Sequence, residues 1–412
     1  MGISTGRHPN SVKESFVRSL PRSSLGAGIA LAAGVAFAAP MAAAEPASPN
    51  DQMQAVLDQL AALGPEPIET LTPEEARQQP TVADAVTALL ESQGASTAPE
   101  PVASVEDMTI PGPAGDLPVR VYAPASDEPL PIIVYYHGGG FVIATIDVYD
   151  SSARALANAA DAVVVSVEYR KAPEHPFPAA VEDAYAAYLW ATQHGADIGG
   201  DPVRVAVAGE SAGGNLAAVV SRRARDSGDQ LPAHQLLVYP VTSSSLDFPS
   251  IETYADAVPL NKPALVWFFG HYAPDPADAD DPDLSPIDAS DLSGLPSATL
   301  VQAEIDPLVS EGKAYADALA AAGVDVELRQ YDGVTHEFFG TGAVVDEADQ
   351  AVAFASHRLM DSFEELPDSS VTSADIPTGP PFAAMLALVA GALALLMVWQ
   401  GSSRPGQPFR RR

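Results

Sequence analysis

The sequence predicts an α/β fold, a mostly parallel sheet covered on both faces by helices, and two observations carry that prediction. Short runs rich in Val, Ile, Leu and Tyr alternate along the chain with longer Ala-rich segments whose apolar residues recur at helical spacing, the pattern of strands joined by helical crossovers. The chain is also large enough to bury such a sheet, with 412 residues of which 47% are hydrophobic and 18% charged. No internal repeat interrupts the pattern.

Taken in order, Val119 to Tyr122 and Ile132 to Tyr136 read as strands, followed by a helix over Ser151 to Ala160 and a strand over Val163 to Val167. A helix at Ala179 to Gln193, a strand at Val203 to Ala208 and a helix at Gly214 to Arg225 continue the alternation. Leu236 to Tyr239 and Ala298 to Ala303 are strands, and Gly312 to Ala322, Val326 to Gln330 and Glu347 to Ser362 close the series as helix, strand and helix. Two regions stand outside it. Residues 51 to 93 suggest two short helices, one entered through the start signal Thr72-Pro73-Glu74-Glu75. Residues 242 to 290 hold the aromatic cluster Trp267, Phe268 and Phe269 and a stretch rich in Asp, Pro and Ala. The aspartates from Asp275 to Asp283 lack the central Gly and closing Glu of an EF-hand, so a solvated loop is expected rather than a calcium site.

Fifty-four acidic residues against 21 basic ones give a formal charge of -33, which repels a phosphate backbone and argues against nucleic acid as a partner. The absence of cysteine excludes disulfides, thiolate zinc sites and cysteine nucleophiles. Both ends are basic, so the acid lies between residues 45 and 376, where Lys171, Lys262 and Lys313 are the only lysines. Such a surface suits concentrated salt, and equally an acidic extracellular proteome.

The ends read as addressing segments. A basic start, an apolar run from Leu25 to Ala39 and the small residues Ala42 to Ala44 fit a secretory signal peptide over residues 1–44, with an uncleaved anchor as the alternative. Residues 382–399 form an uncharged run that, as a helix, would span about 27 Å at ~1.5 Å per residue. Trp399 at its end and the arginines of the 400–412 tail suit a span with a cytoplasmic tail and an exported domain. Ile376-Pro377-Thr378-Gly379 faintly resembles a sortase signal that lacks its spacer residue.

Two strand ends concentrate the chemistry. The first is Gly209-Glu210-Ser211-Ala212-Gly213, set between a strand and a helix, which has the form of a G-x-S-x-G elbow that pushes a serine hydroxyl out of the sheet at a helix amino terminus. The second is Tyr136-His137-Gly138-Gly139-Gly140-Phe141, where consecutive glycines let backbone N–H groups approach a carbonyl oxygen. With the N–H of Ala212 they would make an oxyanion hole, each donor typically contributing about 2.7 to 4 kcal/mol. A phosphate cradle is disfavoured because no Gly-Lys-Ser/Thr follows. This elbow type expects an acid and then a histidine at later strand ends, and Asp306 and His336 stand there in that order. His336-Glu337 lacks the second His of a zinc protease helix.

HGGG at 137–140, YRKAPEHPFPAAVED at 169–183, GESAGGN at 209–215, DPL at 306–308 and GVTHEFF at 333–339 resemble the hormone-sensitive lipase family, the bacterial esterase branch of the α/β-hydrolases. The resemblance runs from about residue 100 to 362. It implies an α/β-hydrolase fold with a helical cap: N-terminal cap helices over 45–100, a catalytic domain over 101–365 to which 242–290 adds cap structure, and a linker over 366–381 before the span. It further implies Ser211 as nucleophile, His336 as base, Asp306 as orienter, and Gly138, Gly139 and Ala212 as oxyanion donors. His137, Gly140, Gly209, Glu210 and Gly213 complete the motifs. Two residues depart from the common pattern. Glu210 is a variant of the more frequent Asp, and Glu337 replaces a Gly after the histidine, which bears on pH optimum and substrate range. The implied activity is serine carboxylesterase action on short- to medium-chain acyl esters, with no cofactor or metal. An amidase or deacetylase-type hydrolase, and a non-catalytic ligand-binding member of the fold, are the alternatives.

Overall fold

The computed structural model describes residues 46–366. The signal peptide expected at 1–44, the membrane span at 382–399 and the tail at 400–412 lie outside them. Among the described residues no helix is long and apolar enough to cross a membrane.

In chain order the elements are α1 (Asp51–Leu63), α2 (Pro73–Ala76), α3 (Val82–Gln93), β1 (Ser104–Gly112), β2 (Gly115–Ala123), β3 (Leu130–Tyr136), α4 (Asp150–Ala160), β4 (Val163–Val167), α5 (Ala179–His194), β5 (Gly200–Glu210) and α6 (Ala212–Ser227). Then follow β6 (Gln235–Val238), α7 (Pro249–Thr253), α8 (Lys262–Tyr272), β7 (Ala298–Ile305), α9 (Val309–Ala321), β8 (Val326–Thr335) and α10 (Asp346–Glu364). The strands form one sheet ordered β1-β2-β4-β3-β5-β6-β7-β8, in which β2 pairs antiparallel with β1 and β4 and every other pairing is parallel.

Alternate side chains of each central strand feed two cores. Ile132, Val134 and Tyr136 of β3, with Val205 and Val207 of β5, pack against α5, α6 and α9. Ile133 and Tyr135, with Ala206 and Ala208, join the core made by α4, α10 and the N-terminal helices α1 and α3. Burial on both faces is why these strands read as unbroken apolar runs.

The structure departs from the sequence reading in two places. A strand over residues 104–112 joins the sheet edge as a hairpin with β2, and Ile110 alone in it is buried, so no apolar run marks it. The Thr72 start signal does form a capping box with Glu75, but the helix it opens is the single turn α2. Pro80 follows shortly after, and a second capping box, Thr81 with Asp84, restarts the chain as α3. Residues 51–93 therefore hold three α-helices and a short 3-10 turn at Ile68–Thr70 rather than two helices.

Candidate active site

The expected site residues meet because the parallel strands all end on the same side. Tyr136 of β3 pairs with Gly209 of β5, which brings the glycine loop beside Ser211. Ile305 of β7 pairs with Thr335 of β8, which sets Asp306 next to His336. In an open parallel sheet the carboxyl ends of strands are where such clefts form.

Ser211 occupies the turn between β5 and α6 with φ 56° and ψ −117°, a conformation that costs roughly 1–3 kcal/mol for a non-glycine residue. Its flanking glycines permit the turn. A Cβ at Gly209 would stand 2.2 Å from the Gly213 carbonyl oxygen, and one at Gly213 would stand 1.9 Å from the oxygen of Tyr136. The turn is held by the Ser211 N–H donating to Val238 O at 2.9 Å and by the Asn215 amide donating to the carbonyls of Val241 and Leu284 at 3.0 and 2.9 Å. Ala212 is the first residue of α6, so its N–H is among the donors a helix leaves without an internal acceptor.

Ser211, His336 and Asp306 are joined in series. The Ser211 Oγ lies 2.9 Å from His336 Nε2, and His336 Nδ1 lies 2.7 Å from Asp306 Oδ2. Asp306 also accepts the Leu308 N–H on Oδ1 at 2.8 Å, which fixes its plane. Ser211, His336 and Asp306 are only 6%, 3% and 0% exposed, so solvent does little to weaken the series. Burial works against the His336 cation, but the charge and hydrogen bond of Asp306, with Glu337 and Glu210 adding to them, outweigh it and raise the imidazole above its ordinary range. A hydroxyl bonded to such an imidazole is arranged to give up its proton as it attacks an electrophilic carbon.

Glu210 lies directly behind the serine, fully buried, accepting the hydroxyl of Tyr135 at 2.5 Å and that of Tyr239. Burial raises its carboxyl above the usual range despite those bonds, with Glu337 adding to the rise. Glu337 is half-buried on the cavity wall, and desolvation likewise raises its carboxyl above the usual range.

The glycine loop passes over the serine. Gly139 and Gly140 have φ of 97° and 57° and border the same cavity as Ser211 and His336. Gly138 does not border it. It continues the line of β3 and packs behind the loop, where a Cβ would meet the Tyr149 hydroxyl at 2.3 Å. Of the glycines expected as donors, Gly139 thus borders the cavity with Ser211 and Gly138 does not, while Gly140 borders it as well. His137 anchors the loop from below, its Nδ1 2.7 Å from Gly138 O and its ring stacked on Tyr169 at 4.3 Å. Burial lowers its imidazole to about 4, so it is neutral.

The cavity has a volume of about 620 Å³ and a largely apolar wall. Leu60, Ile68 and Val82 come to it from the N-terminal helical segment, and Leu265, Phe268 and Phe269 from α8. Arg77 borders it as well, a residue that no sequence motif points to.

Among the described residues no group of three or more His, Asp or Glu side chains is disposed to hold a metal ion. The aspartates of residues 275–283 serve local structure instead. Asp275 accepts the Ala277 N–H at 2.9 Å, and Asp283 pairs with Arg222 and Arg223.

A family model described as the alpha/beta hydrolase fold matches residues 133–340. The carboxylic ester hydrolase LipN of Mycobacterium tuberculosis is 46% identical over 240 residues, covering 57% of this chain and 64% of its own, so the chain spans a little under two thirds of that relative. An ethyl acetate hydrolase of Pseudomonas putida is 36% identical over 297 residues, covering 71% of this chain and 91% of its own. A solved hyperthermophilic esterase of Pyrobaculum calidifontis superimposes with a TM-score of 0.70 at 39% identity, over 77% of this chain and 98% of the other. With its sheet order, its serine turn and these relatives, the chain belongs to the hormone-sensitive lipase family of α/β-hydrolases.

Proposed function

We propose that the protein is a serine carboxylesterase that hydrolyses short- to medium-chain acyl esters through an acyl-enzyme. The observation that carries this is the Ser211–His336–Asp306 series, opening onto an apolar cavity beside the glycine loop. His336 Nε2 takes the Ser211 proton as Oγ bonds to the ester carbon, and Asp306 holds the imidazolium that forms. The N–H groups of Gly139, Gly140 and Ala212 receive the oxyanion. Collapse of the tetrahedral adduct breaks the ester C–O bond, and the alcohol leaves with the proton from His336. Water then attacks the acyl-enzyme by the same route, its proton passing through His336 to Ser211 while the acid departs.

The apolar wall supports acyl chains over charged substrates, and helices 51–93 together with α8 act as the cap that bounds the chain length. A series of nitrophenyl esters from acetate to palmitate, with an anilide included, tests the reading. Turnover should be highest with acetate to octanoate and fall steeply at palmitate, with the anilide slower than any of the short esters. Fastest turnover of palmitate or of the anilide would overturn it.

We further propose that the enzyme is exported and held at the outer face of the cytoplasmic membrane by residues 382–399. The supporting features are the basic start and apolar run of residues 1–44, and the uncharged run with its arginine tail. Truncation after Pro377 should move activity from the membrane fraction to the soluble exported fraction. Full-length activity already soluble after export would contradict this.

A further inference from the structure

The glycine loop is fastened from outside the sheet. Arg77, just past α2, spreads its guanidinium over three acceptors on two loops: Nε donates to the carbonyl of Val142 at 2.9 Å, Nη2 to the carbonyl of Ala172 at 2.8 Å, and Nη1 and Nη2 to the two oxygens of Glu174 at 2.7 Å each. The carbonyl it grips at Val142 belongs to the turn that shapes the glycines, because the N–H groups of Val142 and Ile143 donate to Gly139 O at 3.0 and 2.9 Å. Ala172 is stitched to the same turn, its N–H donating to Phe141 O at 2.9 Å.

The loop is also covered at Gly140. A Cβ at Gly140 would fall 2.2 Å from the Phe268 ring, so that ring lies directly on the glycine. The neighbouring Trp267 donates its indole N–H to Leu71 O at 3.1 Å, which ties α8 back to the segment that carries Arg77. The loop is therefore held by two elements that both wall the cavity.

We propose that Arg77 is a positioning residue that couples seating of the N-terminal helical segment to the alignment of the oxyanion-binding N–H groups of Gly139 and Gly140. The inference rests on the esterase reading above. Arg77 touches no reacting atom in this account and acts through the Val142 turn. The planar fork is suited to this, since a compact ammonium with three donors cannot match two separate carbonyls and both oxygens of a carboxylate. The hydrogen bonds from Arg77 hold Glu174 down to about 2, so the pair stays ionised across any working pH. A misplacement of about 1 Å in a donor that must meet a developing anion can cost about a hundredfold in rate, while ground-state binding in the apolar cavity does not depend on that donor.

The test uses the full chain and two measurements, steady-state hydrolysis of nitrophenyl butyrate and inhibition by an alkyl trifluoromethyl ketone. The ketone reports on oxyanion alignment because Ser211 Oγ adds to its carbonyl carbon, the hydroxyl proton goes to His336, and the former carbonyl oxygen becomes the bound anion. Arg77→Ala should lower kcat by about tenfold to a hundredfold and weaken the ketone by a similar factor, with KM within about threefold of wild type. Arg77→Lys should fall between the two. Arg358→Ala removes an ion pair to Asp325 far from the site and should change neither quantity. If Arg77→Ala does not fold, Arg77→Lys carries the test, with a loss of about tenfold in kcat and ketone affinity expected. A folded variant whose kcat and ketone affinity both stay within about twofold of wild type, or whose kcat falls without loss of ketone affinity, overturns the inference and leaves the esterase reading intact. Wild-type protein that neither hydrolyses the ester nor binds the ketone overturns both.

Discussion

The Glu337 carboxylate accepts a hydrogen bond from the Tyr149 hydroxyl at 3.2 Å, and that hydroxyl is the group against which Gly138 packs. Glu337 holds φ 66°, a left-handed conformation in which a glycine would be unstrained. A half-buried acid thus sits beside His336 at a strained backbone position, and the effect to look for is on the imidazole.

The acidic groups that act on His336 are Asp306, Glu337 and Glu210, and all three raise it against the opposing effect of burial, while Ser211 and the Tyr239 ring cover the rest of the imidazole. A raised base pKa means that the neutral imidazole is lost at higher pH than for a free histidine as the solution is acidified. Glu337→Gln removes one of the raising charges, so the acidic limb of the kcat/KM profile should move to lower pH. Measured pH profiles with nitrophenyl butyrate check this. An acidic limb that stays in place or moves to higher pH counts against it.

The serine turn should tolerate no side chain at Gly213. A Cβ there meets the Tyr136 carbonyl oxygen at 1.9 Å, and the contact is backbone on backbone, so neither partner can rotate away. Gly213→Ala is expected to lose about 3 kcal/mol or more of stability. Chemical denaturation of the purified protein measures it, and a loss below about 1 kcal/mol would show that the turn is looser than described.

Salt should stabilise the domain. The chain as a whole carries -33, and because its two ends are basic the stretch between them is more acidic still; self-repulsion there falls as the Debye length shortens from about 10 Å at 0.1 M to about 3 Å at 1 M. Tm should rise between those sodium chloride concentrations. An equal or lower Tm at the higher one would remove the salt-adapted reading of the surface.

Much of the site is written locally. Gly209 and Gly213 flank Ser211 because the turn has no room for anything larger, so a five-residue pattern between a strand and a helix is enough to locate it. Asp306 and His336 are visible because parallel strands end together and the chain order is fixed. Other features depend on contacts that leave no local mark. Arg77 binds two backbone carbonyls 65 and 95 residues away, which any residue type could supply. That Gly139 and Gly140 border the cavity while Gly138 packs against Tyr149 leaves no mark in a run of identical residues. The strand at residues 104–112 is half exposed and carries Pro111, so it lacks the apolar run that reveals its neighbours.

Everything proposed for this protein depends on Ser211 being the nucleophile, and its replacement is the direct test. The turnover of nitrophenyl butyrate by Ser211→Ala, measured on protein free of host esterases and shown to be folded, should fall by about a millionfold, since such a triad works as a unit. Retention of a tenth or more of wild-type turnover would contradict the account.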